Sequence, residues 1–148
     1  MKISDARARL HRLLAEDARP VRLGAAVAVG VLFGCTPFYG FQTLLALAVA
    51  WPLRLNKVAV VLGTQVSLPP LIPLVVFGGA NLGERILEGR WLPLSLAEIR
   101  AAPAAQLAKE FFAAWLLGGV VLGVGLGAIA WVVTTIVARR VQRTAVGR

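Results

Sequence analysis

Cysteine and histidine are almost missing from this chain: Cys35 and His11 stand alone among its 148 residues. One cysteine excludes an internal disulfide and leaves the redox compartment unread. With one histidine as well, the Cys/His set of a zinc site cannot assemble, so no metal and no other cofactor is expected. Charge is scarce too, at 16% of residues against roughly 25% in soluble proteins. Residues 23–51 and 58–83 contain no Asp, Glu, Lys, Arg or His at all. That removes the usual tools of proton- or voltage-driven transport from both stretches. There is no carboxylate pair and no nucleotide-binding loop, so an enzyme is not expected. Cys35 has no visible base beside it and reads as structural. A secretory signal is not expected either: 1–22 is charged and amphipathic, and the apolar run after it is too long for an h-region.

What the chain has in excess is apolar residues, 58% of the total, where roughly 45–50% is ordinary. They gather in 23–51, 58–83 and 111–138, three stretches of 26 to 29 residues. Each is long enough for a bilayer core of about 30 Å. The reading is an all-α integral membrane protein, one domain over 1–148. It divides into a basic amphipathic N-terminal helix at 1–22, a core with two broken helices at 23–88 and an interfacial connector at 89–110. A glycine-rich transmembrane helix at 111–138 and a basic tail at 139–148 complete it. Ser4 and Ser95 are the expected caps of short surface helices, and Asn56 caps the helix after the Arg54 loop.

The first two stretches are interrupted. Thr36-Pro37-Phe38-Tyr39-Gly40 divides one, and Ser67-Leu68-Pro69-Pro70 divides the other. Hydrocarbon offers no hydrogen bonds, so backbone freed by proline must be covered by protein or line a wet cavity. Paired interrupted segments are the best sequence pointer to a midplane site. The first stretch fits either a kinked, tilted helix or a re-entrant hairpin. Helix starts near Gly40 and Leu71 would expose amide donors and the positive ends of their dipoles. The neutral polar groups at the breaks, Thr36, Tyr39, Gln42, Thr43, Thr64, Gln65 and Ser67, are the candidate ligand-binding residues. The plainer role for them is to satisfy backbone loosened by the prolines.

The formal charge of +9 raises nucleic acid as a partner. Its distribution argues otherwise: +3 over 1–22, +2 at Arg54 and Lys57, zero over 84–110 and +4 over 139–148. Basic residues at the ends and in one loop between apolar runs mark cytoplasmic faces. Both termini and the Arg54 loop are therefore expected on the cytoplasmic side of the membrane. A re-entrant first stretch makes the crossings even. Arg22, Arg54 and Lys57 would attract anionic headgroups, so membrane lipids are the expected partners. Gly119, Gly123 and Gly127 recur every four residues and form a face for close helix packing. The partner helix could be internal, a second copy or another membrane protein. The function these features suggest is binding or translocation of an anionic lipid or small anion at the paired breaks. The alternative is a non-catalytic structural or assembly subunit.

Gly30-Val31-Leu32-Phe33-Gly34, Pro37, Gly40-Phe41-Gln42-Thr43, Leu55-Asn56-Lys57, Gly63-Thr64, Pro69 and Pro73, in this order over about 20–87, resemble a bacterial membrane family called domain of unknown function 2062. The family pattern has an Asn-Pro step and a nearby Thr at the second break, where this chain has Leu68 and Leu71. The resemblance implies a fold and a location. It implies no biochemical activity.

Overall fold

A computed structural model describes residues 19–38, 40–67, 70–91 and 103–146. Among them are five α-helices and no strand: α1 (Pro20–Gly34), α2 (Gln42–Ala50), α3 (Lys57–Thr64), α4 (Ile72–Leu87) and α5 (Ala104–Val146). The helices expected around Ser4 and Ser95, with His11, lie outside the described residues.

Proline and glycine place the helix boundaries. Pro20 opens α1, where a missing amide proton costs nothing. Gly40 takes φ +87° in the turn before α2. Asn56 caps α3 as its sequence suggests, its side chain accepting from the Ala59 amide at 3.1 Å. The 3-10 turn Gln65–Ser67 ends that helix before the prolines, and Pro73 sits in the first turn of α4. The helix starts expected near Gly40 and Leu71 fall at Gln42 and Ile72.

The expectation of three membrane-length segments is met by one helix. Within α5, Phe111–Arg143 runs 33 residues with a mean hydropathy of 2.3 and is long and apolar enough to cross a membrane. The other two apolar stretches are shared out over helices of 15, 9, 8 and 16 residues. The helix α5 bends at Phe111, whose φ of −122° and ψ of 20° leave the helical range.

Small residues set how the helices pack. α1 runs antiparallel to α5, with Gly24 against Thr135, Ala28 against Gly127, Leu32 against Gly123 and Cys35 against Gly119. The three-glycine face thus finds its partner inside the chain. On its other side α5 meets α4, where Gly79 touches Trp115 and Gly119, and Gly83 lies on the Ala114 backbone. α3 lies beside α1 with Gly63 on Gly30. α2 folds back along both, and Ala46 and Ala50 join Leu23, Ala26, Ala59 and Val60 in a fully buried cluster. Trp115 and Trp131 are expected near the ends of the last helix. Trp115 lies four residues into the apolar run that starts at Phe111, and it is buried. Trp131 is partly exposed and its indole donates to the Val21 carbonyl at 3.1 Å.

The outer surface carries many large apolar side chains. Phe41, Leu44, Val124 and Ile129 are 68%, 62%, 58% and 62% exposed, while the interior is built largely from alanine and glycine.

Candidate functional site

The helices that flank the two interruptions touch. α2 begins just after the first and α3 ends just before the second, and the hydroxyls of Thr43 and Thr64 lie 3.4 Å apart. Thr64 donates to its own helix at Val61 O, 2.7 Å away. A consistent wiring is then Thr43 O–H to Thr64 Oγ1, and Thr64 O–H to Val61 O. Gln65 Nε2 donates to the same carbonyl at 3.2 Å. Thr36 is buried and donates to Phe33 O at 2.7 Å. Three candidate side chains therefore close onto carbonyls near the ends of their own helices, where an α-helix leaves acceptors unpaired.

Gln42 differs. Its Oε1 is buried and has no hydrogen-bond partner among the described residues. It opens α2, whose start has no side-chain cap. Tyr39 and the side chain of Ser67 lie outside the described residues. Sequence reasoning thus names a group that the fold partly gathers: Thr43 and Thr64 form a polar seam between α2 and α3, Gln42 precedes Thr43 at the start of α2, and Thr36 lies on the first turn. Phe38 packs edge-on against Phe112 at 6.5 Å between centroids, which puts that turn beside the start of the long apolar run of α5.

A second constellation forms at the opposite end of α1. Arg22 Nη2 donates to the carbonyls of Leu53 at 2.9 Å and Arg54 at 2.8 Å. Arg54 adopts φ +51°, a left-handed conformation rare for a residue with a side chain. Lys57 Nζ stands 4.6 Å over the Trp51 ring. Leu55 and Ala138 pack on the same buried cluster, so the last turns of α5, with Arg139, Arg140 and Arg143, lie at this end as well.

The sequence reading missed a third. Glu84 is 6% exposed and pairs with Arg90 at 2.8 Å. Arg90 also meets Glu88 at 2.8 Å, and that bond, with the charges of both carboxylates, raises the guanidinium pKa further. Arg85 lies over Trp91 at 5.7 Å and donates to Gly89 O. Asn81 is buried and donates to Phe77 O at 3.0 Å. The signal was available: Gly79, Ala80, Gly83 and Glu84 repeat at three- and four-residue spacing, one face of α4. Among the described residues, no three of His, Cys, Asp and Glu gather where they could hold a metal ion.

Fold and site together define an all-helical protein with one membrane-length helix and a polar seam between two interrupted apolar stretches. Residues 5–146 match the family described as "Uncharacterized protein conserved in bacteria (DUF2062)", and the chain belongs to that bacterial family. The match extends well beyond the 20–87 region that carries the resemblance in sequence. No curated protein and no solved structure matches the chain.

Proposed function

We propose that this chain is an integral protein of the bacterial inner membrane that binds an anionic lipid or small anion at the seam where its interrupted stretches meet. The observations that carry the reading are the Thr43–Thr64 contact and, at the start of the same helix, a buried Gln42 Oε1 with no partner among the described residues. Polar groups buried without partners are rare enough in folded proteins to point to a missing ligand or water. With Thr36, Thr64 and Gln65 bonded to backbone and the Thr43 O–H turned to Thr64, the anionic part of the ligand falls to the uncapped start of α2, and its own donors to Thr43 Oγ1 and Gln42 Oε1. Helix N-termini favour anions. Gln42 Oε1 takes a donor, which a hydroxyl-bearing headgroup such as phosphatidylglycerol provides.

Membrane embedding is supported by the surface. Only 11% of the most apolar window of α5 is buried, and an apolar surface of this extent is rare on soluble monomers. In the proposed topology α1 and α2 enter and leave from the cytoplasmic side as a re-entrant hairpin. α3 and α4 then cross outward and α5 returns. Arg22, Arg54, Lys57 and the arginines after Ala138 share the cytoplasmic face, in keeping with the positive-inside rule. The structural-subunit alternative loses its main support, because the glycine face of α5 is covered by α1.

The test is thermal unfolding in detergent with phosphatidylglycerol or phosphatidylcholine added. Stabilisation specific to phosphatidylglycerol, reduced by Gln42→Ala and Thr43→Val, is expected. Equal responses to both lipids in all variants contradict the reading.

A further inference from the structure

We propose that the base of the α1–α2 hairpin is a preorganised site for the phosphate of an anionic glycerophospholipid, separate from the seam. The proposal rests on the reading that the chain sits in a membrane. Three parts of the chain, remote in sequence, deliver cations to it. The grip of Arg22 on the Leu53 and Arg54 carbonyls brings its guanidinium onto the loop that carries Arg54. Both bonds use one terminal nitrogen. A guanidinium has five donors in a planar fork, so the other edge is oriented by the same grip for bidentate contact with phosphate. Lys57, at the start of α3, is held by the face of Trp51. That exposed indole suits the headgroup level, where tryptophan is enriched. Arg139 follows directly on Ala138, which packs in the same cluster as Leu55, and Arg143 lies one turn further along α5.

Charge complementarity selects the ligand. The two acidic side chains described, Glu84 and Glu88, are at the opposite end of the molecule with Arg90. Among the described residues, then, no carboxylate pairs with Arg22, Arg54, Lys57, Arg139 or Arg143. The apolar surface of α2 begins immediately beside them, with Val49 and Leu45 exposed. A ligand with a phosphate at the loop and acyl chains along α2 matches both. A soluble phosphate matches only the first.

The full chain in detergent is titrated with phosphatidylglycerol, phosphatidylcholine or inorganic phosphate, and thermal midpoints and lipids retained in native mass spectra are recorded. Arg54→Gln/Lys57→Gln and Arg139→Gln/Arg143→Gln alter exposed side chains. The arginine of the clamp is left in place, so the hairpin is kept. Each charge removed is expected to weaken phosphatidylglycerol binding about fivefold, with the remaining affinity falling as salt rises. Full phosphatidylglycerol binding by both double variants overturns the proposal. So does stabilisation by inorganic phosphate equal to that by the lipid. Alkaline carbonate extraction separates the two levels of the argument: release of the wild-type chain from membranes removes the membrane reading and this site with it. Retention together with unaltered lipid binding by the variants removes this site alone.

Discussion

Gly30 of α1 and Gly63 of α3 face each other with no room for a methyl group on either. A Cβ on Gly63 would lie 3.0 Å from the Gly30 Cα, and one on Gly30 would strike the Val60 carbonyl. This contact holds the hairpin against the helix that carries Thr64. Gly30→Ala and Gly63→Ala should each destabilise by about 1–3 kcal/mol, the usual range for overpacking. Thermal unfolding in detergent measures it, and an unchanged midpoint in both variants would refute the packing.

The glycines of α5 should form a graded series. A Cβ at Gly119 would lie 2.5 Å from Cys35 O, at Gly123 2.9 Å from Leu32 O and at Gly127 3.1 Å from Ala28 O, whereas at Gly125 nothing lies within 4 Å. Alanine should be worst tolerated at 119, then 123, then 127. At Gly125 it should stabilise by up to about 1 kcal/mol through helix propensity. Equal effects at all four positions would show that α1 does not cover this face.

A double-mutant cycle on Thr43→Val and Thr64→Val isolates the link between the interruptions. The expected coupling is about 0.5–1 kcal/mol, that of one neutral hydrogen bond. Coupling indistinguishable from zero would separate the two sites.

Arg54 is held at φ +51°. Asparagine visits that region more readily, so Arg54→Asn should stabilise by about 0.5–1 kcal/mol, while the β-branched Arg54→Val should destabilise. The pair of thermal midpoints checks the sign of each change.

Much of this architecture could be read in the sequence, because proline and glycine act locally. Pro37 and Gly40, Asn56, and Pro69, Pro70 and Pro73 place helix ends to within a few residues without any tertiary information. What faces what could not be read. The spacing of Gly119, Gly123 and Gly127 announces a close contact but is silent on the partner, and α1 offers its small residues at Gly24 and Ala28 without marking them. The seam was legible as a set of polar residues near breaks. Only packing separates Gln42, left without a partner, from Thr36, satisfied by its own turn. Glu84 escaped because its segment looked finished at Gly83, while burial depends on the helix face and not on where an apolar run stops. The Arg22 clamp joins positions 31 and 32 residues apart, a separation at which no pattern in the chain gives warning.

The central claim is that the first apolar stretch enters and leaves from one side. Single-cysteine variants Arg54→Cys, Arg143→Cys and Glu88→Cys, each in a Cys35→Ala background, are exposed to a membrane-impermeant maleimide in spheroplasts before and after lysis. The account predicts that Glu88→Cys reacts in intact spheroplasts, and that Arg54→Cys and Arg143→Cys react only once the membrane is opened. Labelling of Arg54→Cys in intact spheroplasts, with Arg143→Cys still protected, would contradict it.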